Sequence, residues 1–404
     1  MWFGKNIKVI LIITSLFPPE PVVSAGLAFD LASSLAEKET VVVLSPKPTR
    51  PHGMTFMPEE KTSYPLEHVV QDSYTCSKSN VLGRLRESYS FGIYLKKYIK
   101  ENHKNIEVIY ANIWPLFAQR HLADVASQLQ IPFVLHVQDI YPESISKKIK
   151  VFGAIVDWLL MPLDRQNLQK AKKIVTISNQ MKSFLIETRG LDKSKVEVIR
   201  NWQNDKEFTK QKRKQLLEKN EKFTFMYLGS INPTANVDLL IRAFGPANQE
   251  NARLIVAGDG PEKSKCIELA KSYDSDIQFI EASPDQVPSI QSKADVLLLP
   301  LKKGVAGTAL PSKLTAYMFS KKPIICSIDE DSEAAEIIRN NDCGWVVEPE
   351  NEQALIVCMR DVLKVGKGVL GGKAENSYSY AKNNLSQEGN LKKLVSVVIE
   401  AKKP

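Results

Sequence analysis

The stretch Ile7–Glu37, IKVILIITSLFPPEPVVSAGLAFDLASSLAE, decides the fold. Ile7–Ile13 is a short apolar run, the right length for a buried strand and too short to span a membrane. Lys5 precedes it and Lys8 lies at its start, but the apolar stretch gives way to Phe17-Pro18-Pro19-Glu20-Pro21 with no small-residue cleavage pattern, so it reads as a first strand and not as a leader. Gly26–Glu37 then carries apolar residues at helical spacing. A buried strand, a stiff turn and an amphipathic helix open a β–α–β unit.

The same alternation recurs down the chain. Thr40–Leu44, Glu107–Tyr110, Pro132–His136, Lys173–Ile177 and Val196–Ile199 read as further strands of a first domain. Trp202–Glu221 turns polar and rich in Lys and Gln, as a linking segment would. A second series follows: Phe223–Leu228, Arg253–Ala257, Ile277–Ile280, Val296–Leu299 and Pro323–Cys326. Val237–Phe244, Glu262–Ser272 and Ser312–Phe319 are the helices expected between them. Short β-branched runs separated by helices imply parallel sheets, and hence an α/β chain of two doubly wound, Rossmann-like domains facing across a cleft. The expected division is 1–202, 203–376, and a final helical stretch, 377–404, returning to the first domain. Ligands of such sheets sit at the carboxyl ends of the strands.

Composition narrows the partners. The 404 residues carry a formal charge of +8, which suits nucleic acid, an anionic membrane surface or phosphorylated substrates. No nucleic-acid motif is present, so the latter two remain. The odd, scattered set Cys76, Cys266, Cys326, Cys343 and Cys358 is neither a disulfide framework nor a zinc site. Asp274-Ser275-Asp276 and Asp329-Glu330-Asp331 lack the apolar lead-in of a buried cation site, so no dedicated metal is expected. No apolar stretch reaches the ~20 residues of a spanning helix. The expected location is the cytoplasm, at the inner face of the membrane. Two segments could touch that surface: Leu82–Asn102, with Arg84, Arg86, Lys96, Lys97 and Lys100 among aromatic and aliphatic residues, and Lys147–Lys173. Each could equally pack its apolar face on a core.

Several motifs fall at expected strand ends. Glu20 and Gly26 follow the first strand; Gly26 at a helix start lets a ligand approach, or the loop is only a stiff turn. His136-Val137-Gln138-Asp139, followed by Glu143, brings polar side chains to a strand edge. There His136 can accept a proton or hydrogen-bond a sugar, or be a satisfied structural histidine. Gly229-Ser230 precedes a helix whose amides could attract phosphate. Gly258-Asp259-Gly260 mimics half a dinucleotide fingerprint, but Lys263 stands where the third glycine belongs, which rejects a dehydrogenase. Gly304 to Lys313, with Gly307, Thr308, Pro311 and Ser312, forms a diphosphate cradle at a helix start, or a surface loop.

Taken in order, these motifs resemble glycosyltransferase family 4, retaining transferases of GT-B fold, and among them enzymes building bacterial O-antigen, capsule and colanic-acid-type polysaccharide. Phe17-Pro18-Pro19-Glu20, His136 to Glu143, Thr176-Ile177-Ser178, Val198 to Trp202, Gly229-Ser230-Ile231, Ala257 to Pro261, Ala294-Asp295-Val296 and Pro311-Ser312-Lys313 carry the resemblance. It implies that the first domain binds the acceptor through Glu20, Gly26 and Glu143, with His136 and Asp139 at the reacting centre. It implies that the second binds the donor through Gly229, Ser230, Gly258, Gly260, Gly307, Thr308, Ser312 and Lys313. No cofactor or metal is implied; the nucleotide-sugar, UDP-linked, is a substrate, and the acceptor is a lipid-linked saccharide. The chain departs from the family where Arg and Lys usually hold the diphosphate, with Ser230 and Ala235 there, and where two glutamates usually stand, with Thr308 and Ala316. Lys313 is the expected compensation. Two alternatives stay open: a nucleotide-sugar epimerase of the same architecture, which would need carboxylates in the cleft, and a non-catalytic partner in a polysaccharide-synthesis complex, which would bind no nucleotide.

Overall fold

The computed structural model describes residues 7–50, 66–76, 81–146, 153–202, 205, 208, 222–247, 251–283, 286–306 and 310–403. The chain forms two compact units, residues 1–200 with 390–404, and residues 201–389. Most of the linking segment Trp202–Glu221 lies outside the described residues.

Unit one is built on seven parallel strands: β1 (Val9–Thr14), β2 (Val41–Pro46), β3 (Leu66–Gln71), β4 (Ile106–Asn112), β5 (Phe133–Val137), β6 (Lys173–Thr176) and β7 (Val196–Val198). Their order is β3-β2-β1-β4-β5-β6-β7. All of β1 is buried, as its continuous apolar run requires for a strand covered on both faces. The helices α1 (Val23–Ala36), α2 (Val81–Asn102), α3 (Phe117–Gln128), α4 (Glu143–Ser146), α5 (Gly153–Lys170) and α6 (Asn179–Arg189) connect them. Ser178 caps α6 by accepting from the Met181 amide, and Gly190, in the left-handed conformation, ends it.

Unit two repeats the plan on six strands: β8 (Phe223–Leu228), β9 (Ala252–Ala257), β10 (Ile277–Ile280), β11 (Val296–Pro300), β12 (Ile324–Ser327) and β13 (Gly344–Val347). The order is β10-β9-β8-β11-β12-β13, again parallel. Its helices are α7 (Val237–Ala247), α8 (Lys263–Ala270), α9 (Val287–Ser292), α10 (Ser312–Phe319), α11 (Glu333–Asn340), α12 (Glu352–Lys364) and α13 (Lys367–Asn384). In each sheet the winding reverses once, between β1 and β4 and between β8 and β11. Crevices open at such reversals, on the carboxyl side.

The strands β3 and β13 were not expected. Both are sheet edges, and no residue of either is fully buried. An edge strand with Glu67, His68 and Gln71 carries no continuous apolar signal. The C-terminal stretch also differs from the single returning helix expected from Ser377. It is two helices. Ala381 and Leu385, at the end of α13, join the core of unit two with Leu314 and Tyr317. The last helix, α14 (Gln387–Ala401), belongs from Asn390 to unit one. Lys402 just beyond it pairs with Glu39 at 3.0 Å and Glu107 at 2.9 Å.

Candidate active site

A cavity of about 560 Å³ opens in unit one at the carboxyl ends of β1, β4 and β5. It sits at the winding reversal: Thr14 and Ser15 come from β1 and the residue after it, Asn112 and Trp114 from the end of β4 and beyond, His136 and Gln138 from the end of β5. The first turns of α1 and α2 add Ser24 and Arg84. Its walls are polar and under-satisfied. Ser15 Oγ, Arg50 Nε, Trp114 Nε1, Gln119 Oε1, His136 Nε2 and Gln138 Nε2 are buried atoms with no hydrogen-bond partner among the described residues. Unpaired buried polar atoms are rare in proteins because each costs about 1–3 kcal/mol. Several around one cavity mark a place where a polar ligand or water completes the bonding.

His136 is 3% exposed. Its Nδ1 shares a 2.6 Å hydrogen bond with the hydroxyl of Tyr110, one strand away on β4. Burial drives the imidazole pKa down to about 4, so the ring is neutral near pH 7. The same burial pushes the Tyr110 phenol well above its usual range. Tyr110 thus fixes the ring through one nitrogen and leaves the other for a ligand. Asp139 and Gln138 line the same cavity, and Gln138 Oε1 accepts from Ser24 Oγ at 3.1 Å.

The other residues expected on the acceptor side are placed differently. Glu20 does not line the cavity. Its Oε1 accepts from the amides of Thr49 and Arg50, both at 2.9 Å, and its Oε2 from Phe17 at 3.3 Å. It ties the loop after β1 to the loop after β2, and burial raises its pKa despite those amides. Glu143 is held by both terminal nitrogens of Arg189, at 2.7 and 2.8 Å. Arg189, fully buried, also donates its Nε to Asp164 at 2.8 Å and so joins α4, α5 and α6. Gly26 lies exposed in the first turn of α1, with open space where a side chain would go.

In unit two the structure brings Gly229 and Lys313 together. The side chain of Lys313, on the first turn of α10, runs across Gly229 so closely that an added Cβ would meet its Cε at 2.0 Å. Its Nζ donates to the hydroxyl of Tyr227 at 2.7 Å and lies 4.9 Å from that ring's centre. Among the described residues no carboxylate pairs with it. Burial lowers its pKa to about 8, so it still carries a charge near neutrality. Ser230 and Ser312 are exposed beside it. Gly258 and Gly260 have a different reason to be glycine. Their φ angles are 129° and 154°, and a Cβ would strike the carbonyl oxygens of Gly229 and Ile231 at 2.2 and 2.3 Å. The space over these glycines is filled by the loop after β8. Gly307 and Thr308 lie outside the described residues. The acidic runs are engaged locally: Asp276 pairs with Lys222 at 2.9 Å, and Asp329 accepts from the Gly304 amide at 2.9 Å.

Sequence reasoning missed Tyr110, Arg50, Trp114 and Gln119. Tyr110 stands inside an apolar run and reads as core; the others lie in segments with no motif.

Comparison with known proteins gives the family and the fold. Residues 27–206 match the family model of Glycosyltransferase Family 4, and residues 208–383 that of Glycosyl transferases group 1. The two halves define the class: the chain belongs to these glycosyltransferases and has the GT-B fold. WbjE of Pseudomonas aeruginosa, assigned as a glycosyltransferase, is 24% identical over 278 residues, covering 67% of this chain and 68% of that protein. WcaI of Escherichia coli (strain K12), a glycosyl transferase assigned to colanic acid biosynthesis, is also 24% identical over 278 residues, covering 65% of this chain and 66% of that protein. The crystal structure of Anabaena HepE in complex with UDP superposes with a TM-score of 0.67 at 15% identity, covering 98% of this chain and 100% of that one. The chain is thus a GT-B glycosyltransferase related to enzymes of bacterial polysaccharide synthesis.

Proposed function

We propose that this protein transfers a sugar, an N-acetylated deoxyhexose in our reading, from a UDP-linked donor to a lipid-linked saccharide during bacterial surface-polysaccharide synthesis. The observation that carries the reading is the cavity of unit one, ringed by buried polar atoms that lack partners. A saccharide offers a hydroxyl on nearly every carbon, alternately donor and acceptor, and so meets such a wall. His136 is suited to orient the attacking hydroxyl: it is neutral, rigidly held by Tyr110, and has one nitrogen unpaired. Asp139, beside it in the lining, is the group to balance positive charge building on the sugar ring.

The donor's diphosphate belongs at Lys313 and the turn Gly229–Ser230. Lys313 takes the place of the cations that Ser230 and Ala235 replace, since among the described residues no carboxylate pairs with it. Charge grows on the leaving diphosphate in the transition state, and a cation already desolvated there stabilises it more than a hydrated one would. Retention of anomeric configuration and independence of metal ions follow from the family resemblance. Among the described residues no helix is long and apolar enough to cross a membrane; the reading places the protein at the cytoplasmic face of one.

Thermal unfolding against UDP, GDP, dTDP and CMP compounds tests this. A ligand at 100 times its Kd adds about 2.7 kcal/mol to native stability. Selective stabilisation by UDP compounds, weakened at least tenfold in affinity by Lys313→Ala, is the expected result. No shift with any nucleotide at millimolar concentration would overturn the assignment.

A further inference from the structure

The helix α5 is built inside out. A helix on a soluble domain buries its apolar stripe and shows its polar face. Of the 18 residues of α5, the buried ones are Asp164, Asn167 and Leu168. Ile155, Trp158 and Leu159 are instead 54%, 75% and 59% exposed. No residue from Gly153 to Leu163 is buried, and in that span only Asp157 is charged. The polar interior is specific: Asp164 takes the Arg189 guanidinium, and Asn167 donates to the Leu116 carbonyl at 2.9 Å. The helix is therefore held in this rotation by its buried hydrogen bonds, with its apolar half facing outward.

A second helix shares the feature. On α2 the residues Leu82, Arg86, Tyr89, Ile93, Lys97 and Lys100 follow one another at spacings of three or four, and all are exposed. The opposite side of the same helix supplies Arg84, Leu85 and Ser88 to the cavity. Both helices flank α3: Tyr89 of α2 meets Phe117 edge to face and packs at a tilt on His121, both of α3, and Arg120 of α3 donates to Gln166 of α5 at 2.6 Å. Seven of the thirteen large apolar residues exposed among the described residues lie on these two helices. Five basic residues accompany them on α2, against Glu101 and a fully buried Glu87.

We infer that α2 and α5 form a dock for a bilayer surface rich in anionic phospholipid, with the apolar half of α5 inserted among the acyl chains and the basic stripe of α2 lying on the headgroups. Apolar side chains and cations on one face fit that occupant and not a neutral protein surface: the cations need anions, and Trp158, Leu159 and Ile155 need hydrocarbon. The dock rests on the proposed function only for its purpose, since α2 joins the bilayer to the cavity mouth and a lipid-linked acceptor could enter without leaving the membrane.

Co-sedimentation of the full chain with vesicles tests this directly. The protein should pellet with 30% phosphatidylglycerol vesicles, bind pure phosphatidylcholine at least about tenfold more weakly, and dissociate as salt rises. Trp158→Glu with Leu159→Glu should abolish binding; Lys97→Glu with Lys100→Glu should cost at least about tenfold at low salt. These residues are exposed, so the variants should keep the wild-type melting temperature, which is measured alongside. Failure to bind anionic vesicles overturns the inference. So does binding that neither variant pair weakens, or a wild-type dimer that Trp158→Glu dissociates, since a second copy would then cover this face. Nucleotide stabilisation of the same samples reads the donor site separately, so loss of either property leaves the other standing.

Discussion

His136 and Lys313 are both titratable groups moved from their usual pKa by burial, and each makes a pH-dependent statement. For His136 the folded pKa of about 4 lies below the unfolded value near 6.5. Between those values the unfolded chain binds more protons than the native one, so stability falls as pH drops through that window. The full loss is about 3 kcal/mol, reached below pH 4. Denaturant titrations at pH 7, 5 and 4 should show the slope in the wild type and a flatter one in His136→Asn; equal slopes would mean that the ring is not buried neutral. Lys313 carries its charge below its pKa of about 8 and loses it above. UDP affinity should therefore decline between pH 7 and 9, approaching tenfold per pH unit above 8. Lys313→Arg, which stays charged, should remove the decline. Both residues were legible in the sequence because a polar group at a strand end or helix start interrupts an apolar pattern. Their partners were less so: Tyr110 and Tyr227 sit within β-strands, where a tyrosine looks like any core aromatic.

At the level of elements, glycine and the ion-pair clamp divide site from scaffold. Gly258 and Gly260 read from sequence as a phosphate turn, and Gly26 as a place of close approach; nothing in a sequence tells what occupies the space over a glycine. In the structure the first two face carbonyl oxygens of the loop after β8, while Gly26 faces open space. Gly258→Ala or Gly260→Ala should destabilise unit two by about 1–3 kcal/mol or more, from the left-handed φ and the clash together. Gly26→Ala, within α1, should instead stabilise by about 0.5–1 kcal/mol. If transfer nevertheless falls in that stable variant, Gly26 serves the acceptor; if transfer is unchanged, it does not. Glu143 shows the same limit of sequence reading. It follows the strand-end motif closely enough to suggest the site, yet its partner Arg189 is 46 residues away and recognisable only once α6 is folded against α4. Arg189→Ala leaves Asp164 buried without its cation and should cost about 3–5 kcal/mol, measurable as a fall in denaturation midpoint without loss of UDP affinity.

At the scale of the whole molecule, the two-unit plan was legible because buried parallel strands announce themselves as apolar runs, and the chain repeats that announcement after a polar interval. The return of the last residues to unit one was legible too, but not the point where it begins, because α13 and α14 are both helical and the sequence does not say which sheet each covers. The structure divides them at Gly389. Leu394, Val397, Val398 and Ala401 of α14 are buried in unit one, and Lys402 bridges Glu39 and Glu107. The chain therefore leaves unit one near residue 200, builds all of unit two, and returns to unit one at Asn390, so unit one is assembled from segments on both sides of unit two. A stop after Gly389 should uncover the surface those four side chains fill, and burying one Leu alone is worth about 2–5 kcal/mol. Hydrogen exchange should then rise across β1, β2 and β4 of the truncated chain while β8, β9 and β11 keep wild-type protection, and UDP binding to unit two should persist. Equal loosening of both sheets would show that α14 stabilises the molecule as a whole; no loosening of unit one would show that its core stands without the returning helix.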